Sequence, residues 1–127
     1  MSMDTAEPAR VSAIIYAGAS FRRRWGRTIA GQPDDYTGCT AVAELRDASS
    51  NALLGTFVTG GGINGSITFD GNRIELYMGQ AKTKALTAFD AAVCHVDLRR
   101  PSGDVERLYE IAFGYSAGKT QADPPTP

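Results

Sequence analysis

Histidine is nearly missing from this chain: His95 is the only one in 127 residues, beside two cysteines, Cys39 and Cys94, and a single tryptophan, Trp25. One histidine removes most schemes of general acid–base catalysis, and the sequence holds no GxSxG, no HExxH and no cysteine–histidine–acid set, so no enzyme is expected. The cysteines lack a CxxC spacing, and two thiols with one imidazole, two of the three adjacent in sequence, make a poor zinc set. Neither a metal nor another cofactor is expected, and Cys94 reads as a small core residue. No apolar run approaches the ~18 residues of a membrane span. MSMDTAEPAR carries two acids before its first base, which points away from a signal or transit peptide and from a membrane partner. With 13 basic and 14 acidic residues the chain also lacks a general basic field, which disfavours nucleic acid as a partner.

What the chain does have is turns. Fourteen glycines and six prolines in a length suited to one domain lean towards β structure. Short apolar runs predict strands at 11–16, 20–25, 40–46, 53–59, 66–69, 73–78, 93–100 and 105–116. Asp70-Gly71-Asn72 and Pro101-Ser102-Gly103-Asp104 supply hairpin turns between the last two pairs. Residues 80–92 carry Ala81, Ala85, Leu86 and Phe89 at helical spacings, which predicts one or two helical turns between strands. The predicted fold is an all-β antiparallel sandwich of about seven or eight strands over residues 11–116, with polar arms at 1–10 and 117–127.

Period-two alternation assigns faces. Cys94, Val96 and Leu98 share one side of their strand while His95, Asp97 and Arg99 share the other, so His95 reads as a half-exposed surface residue, paired with Asp97 or with nothing. Tyr109, Ile111, Phe113 and Tyr115 form an aromatic core stripe opposite Glu106, Glu110 and Ala112. Gly60-x-Gly62-x-x-Gly65 has the form of a dinucleotide fingerprint, but a strand follows it where that chemistry needs a helix N-terminus, so it reads as an inter-strand loop. Asp34-Asp35 reads as turn chemistry.

The densest feature is FRRRWGR at 21–27. As a strand it sets Phe21, Arg23 and Trp25 on one face and Arg22 and Arg24 on the other, with Arg27 beyond Gly26. An inward Arg23 is costly in a buried central strand and suits a sheet edge. Arg22 and Arg24 would then project as two guanidiniums fit for carboxylates of a neighbouring subunit, or pair with acids across the sheet. The candidate protein-interface residues are Arg22, Arg24, Trp25 and Arg27, with Lys119, Pro124 and Pro125 in the C-terminal arm.

The order of these segments is itself informative. AGASFRRR, then GQPDDYTGCTAVAELRDASSNALL, then GSITFDGNRIELYM with KTKALTAF, and finally VCHVDLRRPSGDVERLYEIAFGYSAGKT, together resemble a family of tailed-bacteriophage virion domains. Its best-known relatives stand at the N-terminus of upper-baseplate proteins that attach receptor-binding proteins. The resemblance spans about residues 11–120. Tyr36, Glu110 and Cys94 depart from it, standing where the pattern usually has an aliphatic residue, a glycine and an aromatic. It implies an immunoglobulin-like β-sandwich without enzymatic activity, synthesised in the bacterial host cytoplasm and carried in the virion. Its partners would be other virion proteins and itself in a symmetric oligomer. The alternatives are a capsid decoration or head–tail junction protein and, from another class, a carbohydrate-binding module stacking glycan on Trp25, Tyr36 and Tyr77.

Overall fold

The computed structural model of the chain describes residues 8–29 and 31–117, with the backbone alone at 28, 29 and 33. Its strands are β1 (Ala9–Tyr16), β2 (Phe21–Gly26), β3 (Thr28–Ile29), β4 (Gln32–Pro33), β5 (Thr40–Asp47), β6 (Leu53–Thr59), β7 (Gly65–Asp70), β8 (Arg73–Met78), β9 (Ala92–Arg99) and β10 (Val105–Ser116). One helix, α1 (Gln80–Ala85), joins β8 to β9. The all-β expectation is borne out. The N-terminal boundary shifts, because Ala9 and Arg10 pair with Tyr109 and Glu110 and so belong to β1 rather than to an arm. The predicted C-terminal arm lies outside the described residues apart from Ala117.

Eight strands form one hydrogen-bonded sheet in the order β1-β10-β9-β5-β6-β7-β8-β2, and β3 and β4 form a separate two-stranded ribbon. The sheet is mixed, not purely antiparallel: β1 runs parallel to β10, and β6 runs parallel to β7. Parallel neighbours ordinarily need a long crossover. Here residues 60–64 suffice, because Phe57 pairs with Gly65 and the chain has only to double back along the end of β6. Gly60 (φ 83°) and Gly61 (φ 99°) make the reversal in the left-handed region that favours glycine. The Gly61 N–H donates to Val58 O (3.0 Å), and Asn64 Oδ1 accepts from the Thr56 N–H (2.9 Å), one residue before the β6–β7 ladder begins. The glycine-rich run is thus an inter-strand loop, as expected, and one that reverses the chain between parallel neighbours. Gly65 is needed for a different reason: a Cβ there would stand 2.7 Å from Tyr77 O and 2.8 Å from the Phe57 ring.

The sheet curls until its edge strand β2 packs through side chains over β10, the strand next to the opposite edge. Phe21 of β2 lies 5.4 Å from Phe113 of β10 and 6.1 Å from Phe57 of β6, ring centre to ring centre. Trp25 lies 5.7 Å from Tyr109, whose hydroxyl donates to Gly26 O (3.3 Å). Around these rings Ile15, Leu45, Ile67, Ile74, Leu76, Val96, Leu98 and Ile111 are fully buried, and alternate residues of each strand supply them. Burial of such side chains stabilises a fold by roughly 1.5–3 kcal/mol each.

Helix α1 is short, and the predicted apolar positions divide: Leu86 and Phe89, just past its end, are buried as expected, and the two alanines within it are not. Ala81 and Ala85 are exposed, while Thr83, Leu86 and Phe89 are buried at a spacing of three. Thr83 Oγ1 accepts from the Gly18 N–H (3.2 Å) and donates to Ala19 O (2.8 Å), which ties α1 to the turn between β1 and β2.

Candidate protein-interaction surface

β2 is an edge strand, as the inward arginine predicted. It owes its place to its antiparallel register with β8, which sets Arg22 across from Tyr77, Arg23 from Leu76 and Arg24 from Glu75. On the outer face Arg22 and Arg24 converge on the same carboxylate. Arg24 Nε donates to Glu75 Oε2 at 2.7 Å, and Arg22 Nη1 stands 3.6 Å from that oxygen while its guanidinium lies 4.9 Å over the Tyr77 ring. The hydrogen bond from Arg24 holds the Glu75 carboxyl below its ordinary value. Two cations share one anion, and both keep about half their side-chain surface in solvent, 58% for Arg22 and 47% for Arg24. The pair across the sheet and the outward cationic display therefore coexist.

Arg23 lies on the inner face yet is exposed, because at a sheet edge its guanidinium can bend out over Trp25, 5.5 Å from the ring. Among the described residues it meets no carboxylate. Trp25 is half-buried between that guanidinium and Tyr109, and so supports the edge from within.

Arg27 has a different position. Its side chain is only 12% exposed and sits between Asp34 Oδ2 and Glu106 Oε1, each 3.6 Å away. Arg100 bridges the same two acids, with Nη2 3.1 Å from Asp34 Oδ1 and hydrogen-bonded to Glu106, and its Nη1 donates to Asp35 O (2.9 Å). Burial acts to lower the Arg100 pKa, and its hydrogen bonds to Glu106 and Asp34 more than reverse that. Two guanidiniums and two carboxylates thus close one end of the fold and anchor the loop through residues 31–38. A partner would have to compete for Arg27, so it drops out of the accessible patch.

Glu106 reaches this cluster through a feature that strict alternation missed. β10 carries a bulge between Arg107 and Tyr109, so Leu108 and Tyr109 are both buried and Glu106 pairs with the buried Leu98 on the core side. The alternation rule had set Glu106 opposite Tyr109. The signal was present as two consecutive apolar residues in VERLYE.

Lys119, Pro124 and Pro125 lie outside the described residues. Asp35 accepts from the Thr37 N–H (3.0 Å) and hydroxyl (2.8 Å), the turn role expected of it, and Asp34 serves the charge cluster. His95 is on the outer face but faces Glu110 (3.9 Å), because Asp97 is taken by Arg107 (2.9 Å). Burial pushes the Cys94 thiol up to about 12, in keeping with a core residue. Among the described residues no group of three or more His, Cys, Asp and Glu is placed to hold a metal ion.

The three aromatics of the carbohydrate alternative do not form a platform. Tyr36 is 4% exposed and packed in a tilted pair against Phe69, Trp25 is covered by Arg23, and Tyr77 lies under Arg22. No helix among the described residues is long and apolar enough to cross a membrane. No protein-family model matches the chain, and no curated protein matches its sequence.

Proposed function

We propose that the chain is a non-enzymatic structural protein of a tailed bacteriophage or prophage particle, a tail- or baseplate-associated adaptor that docks into a symmetric assembly and is carried in the virion. The observation that carries this reading is the β2 edge. Arg22 and Arg24 share Glu75 on the outer face, and Arg23 is left to an aromatic ring, so the strand presents more guanidinium donors than the fold itself consumes. Such donors suit carboxylates of a neighbouring protein, and outlying charges of this kind set partner choice and orientation more than raw affinity. The order of segments that resembles phage virion domains supplies the class of assembly. Within the proposal the fold is an immunoglobulin-like sandwich, a reading supported by Phe21 and Trp25 at one end of the sheet packing on Phe113 and Tyr109 near the other.

The test is immunogold electron microscopy of particles from the producing strain, joined to incorporation of Arg22→Gln/Arg24→Gln protein. Gold at the tail or its tip, with incorporation reduced in the variant, is the expected result. Gold spread over the capsid would make the protein a decoration protein instead. Unlabelled particles, with an antibody that detects the protein in denatured lysate, would overturn the virion reading.

A further inference from the structure

The two edge strands of the sheet, β1 and β2, differ in one respect that bears on oligomerisation. β2 carries three consecutive arginines, one of them on its inner face, which is a recognised guard against strand addition. β1 carries no such guard. It is eight residues long, pairs with β10 without a register shift, has no proline within it, and bears one charge, Arg10, near its start. Its outer face exposes Ile14 (50%) and Tyr16 (56%), and the exposed apolar surface continues inward over Ala112 to Val93 (39%) in the neighbouring strands. Among the described residues nothing pairs with the far side of β1.

We infer that β1 is the self-association edge of this protein, pairing antiparallel with β1 of a second copy across a two-fold axis. This names the self-partner of the reading above, but it rests on the edge geometry and not on the virion assignment. Charge decides between the possible occupants. Pairing β1 with the β2 edge of another copy would set Arg10 against Arg22, Arg23 and Arg24 and would leave open-ended chains. Pairing β1 with itself in a register centred on Ala13 sets Arg10 across from Tyr16 of the partner subunit, where a guanidinium can lie over the ring. The two Arg10 side chains then stand about 20 Å apart at the ~3.4 Å rise of an antiparallel strand, beyond the reach of their repulsion at physiological salt. The contact is isologous and closes on a pair, with Ser12 and Ile14 of both copies along the seam.

Sedimentation equilibrium of the full chain tests this. The expected mass is that of a pair, and Ile14→Lys/Tyr16→Lys, at two half-exposed positions, drops it to that of one chain while the thermal melt stays cooperative. Arg22→Gln/Arg24→Gln leaves the pair intact. Should the lysine variant fail to fold, Ser12→Cys/Ile14→Cys decides: in this register Ser12 of each copy faces Ile14 of the partner subunit, and Cys39 and Cys94 are buried, so a disulfide-linked pair on mild oxidation reports the β1 seam and its absence overturns the inference. A single-chain mass for the unmodified protein, or a pair that survives both lysines, also overturns it. A single-chain protein still built into particles would sink the β1 pairing and spare the proposed function. A β1-linked pair absent from particles would do the reverse.

Discussion

Replacing Asp34 with asparagine removes one of four charges at the closed end of the fold and leaves two guanidiniums on one carboxylate. The side chain of Asp34 is 6% exposed, and it accepts from Arg100 Nη2 at 3.1 and 3.3 Å and from the Asp35 N–H at 3.0 Å, with Arg27 Nε at 3.6 Å. Removing one partner from a buried ion pair typically costs about 3–5 kcal/mol, because the other charge is left uncompensated. Arg27 and Arg100 remain 12% and 22% exposed and Glu106 stays in place, so some solvation and one anion survive. We therefore expect a loss of about 2–3 kcal/mol, which for a domain of this size lowers the melting temperature by roughly 10 °C. Urea unfolding measures it, with Asp97→Asn as reference. The Asp97–Arg107 pair has similar distances but side chains 32% and 46% exposed, so its loss costs about 0–1 kcal/mol. Adding Arg27→Met to Asp34→Asn restores the balance of one cation to one anion, and the double variant is expected to recover part of the stability. If Asp34→Asn costs no more than Asp97→Asn, or if Arg27→Met deepens the loss, the charge cluster does not hold the loop by electrostatic compensation.

Three further outcomes follow from other parts of the molecule. Gly65→Ala drives a Cβ to 2.7 Å from a backbone carbonyl that cannot swing aside, so it should destabilise by about 1–3 kcal/mol, whereas Gly60→Ala, strained in φ alone, meets no atom within 4 Å and should cost less; urea midpoints compare them. The carboxyls of Asp35, Asp47 and Glu75 are held below their ordinary values, chiefly by the Thr37 N–H, the Ser50 N–H and the Arg24 side chain respectively. Depressed native values mean that the unfolded chain protonates first. Their contribution is therefore complete above the ordinary carboxylate range and is lost as pH falls through the native values, and Asp47→Asn should flatten that acid limb in a melt series from pH 7 to 3. Cys94 should resist a thiol reagent in native protein at pH 8 and react on unfolding, since burial both hides it and keeps it protonated; prompt labelling of Cys94 in a Cys39→Ser background would contradict that.

How much of this was legible in the sequence depends on whether a signal was local. The strands were, because their alternation is written in neighbouring residues: Cys94, Val96 and Leu98 are buried while Asp97 and Arg99 face outward. The edge position of β2 was legible because an inward arginine has few affordable places. The parallel pairings were not, since β1 meets β10 across nearly the whole chain and no local pattern specifies that. The destination of Arg27 was not legible either. Gly26 marked the end of the strand, but Asp34 reaches Arg27 from the loop after β4, and Glu106 reaches it only once the β10 bulge turns Glu106 inward. That bulge also separates the two roles of the arginine-rich segment. Arg22, Arg23 and Arg24 lie along an open sheet edge whose nearest acid, Glu75, is shared, so their charge faces outward. Arg27, three residues on, has two acids to itself and to Arg100, so its charge is spent on closing the fold. The same residue type in one short stretch thus divides between recognition and stability according to how many carboxylates the topology delivers to each position.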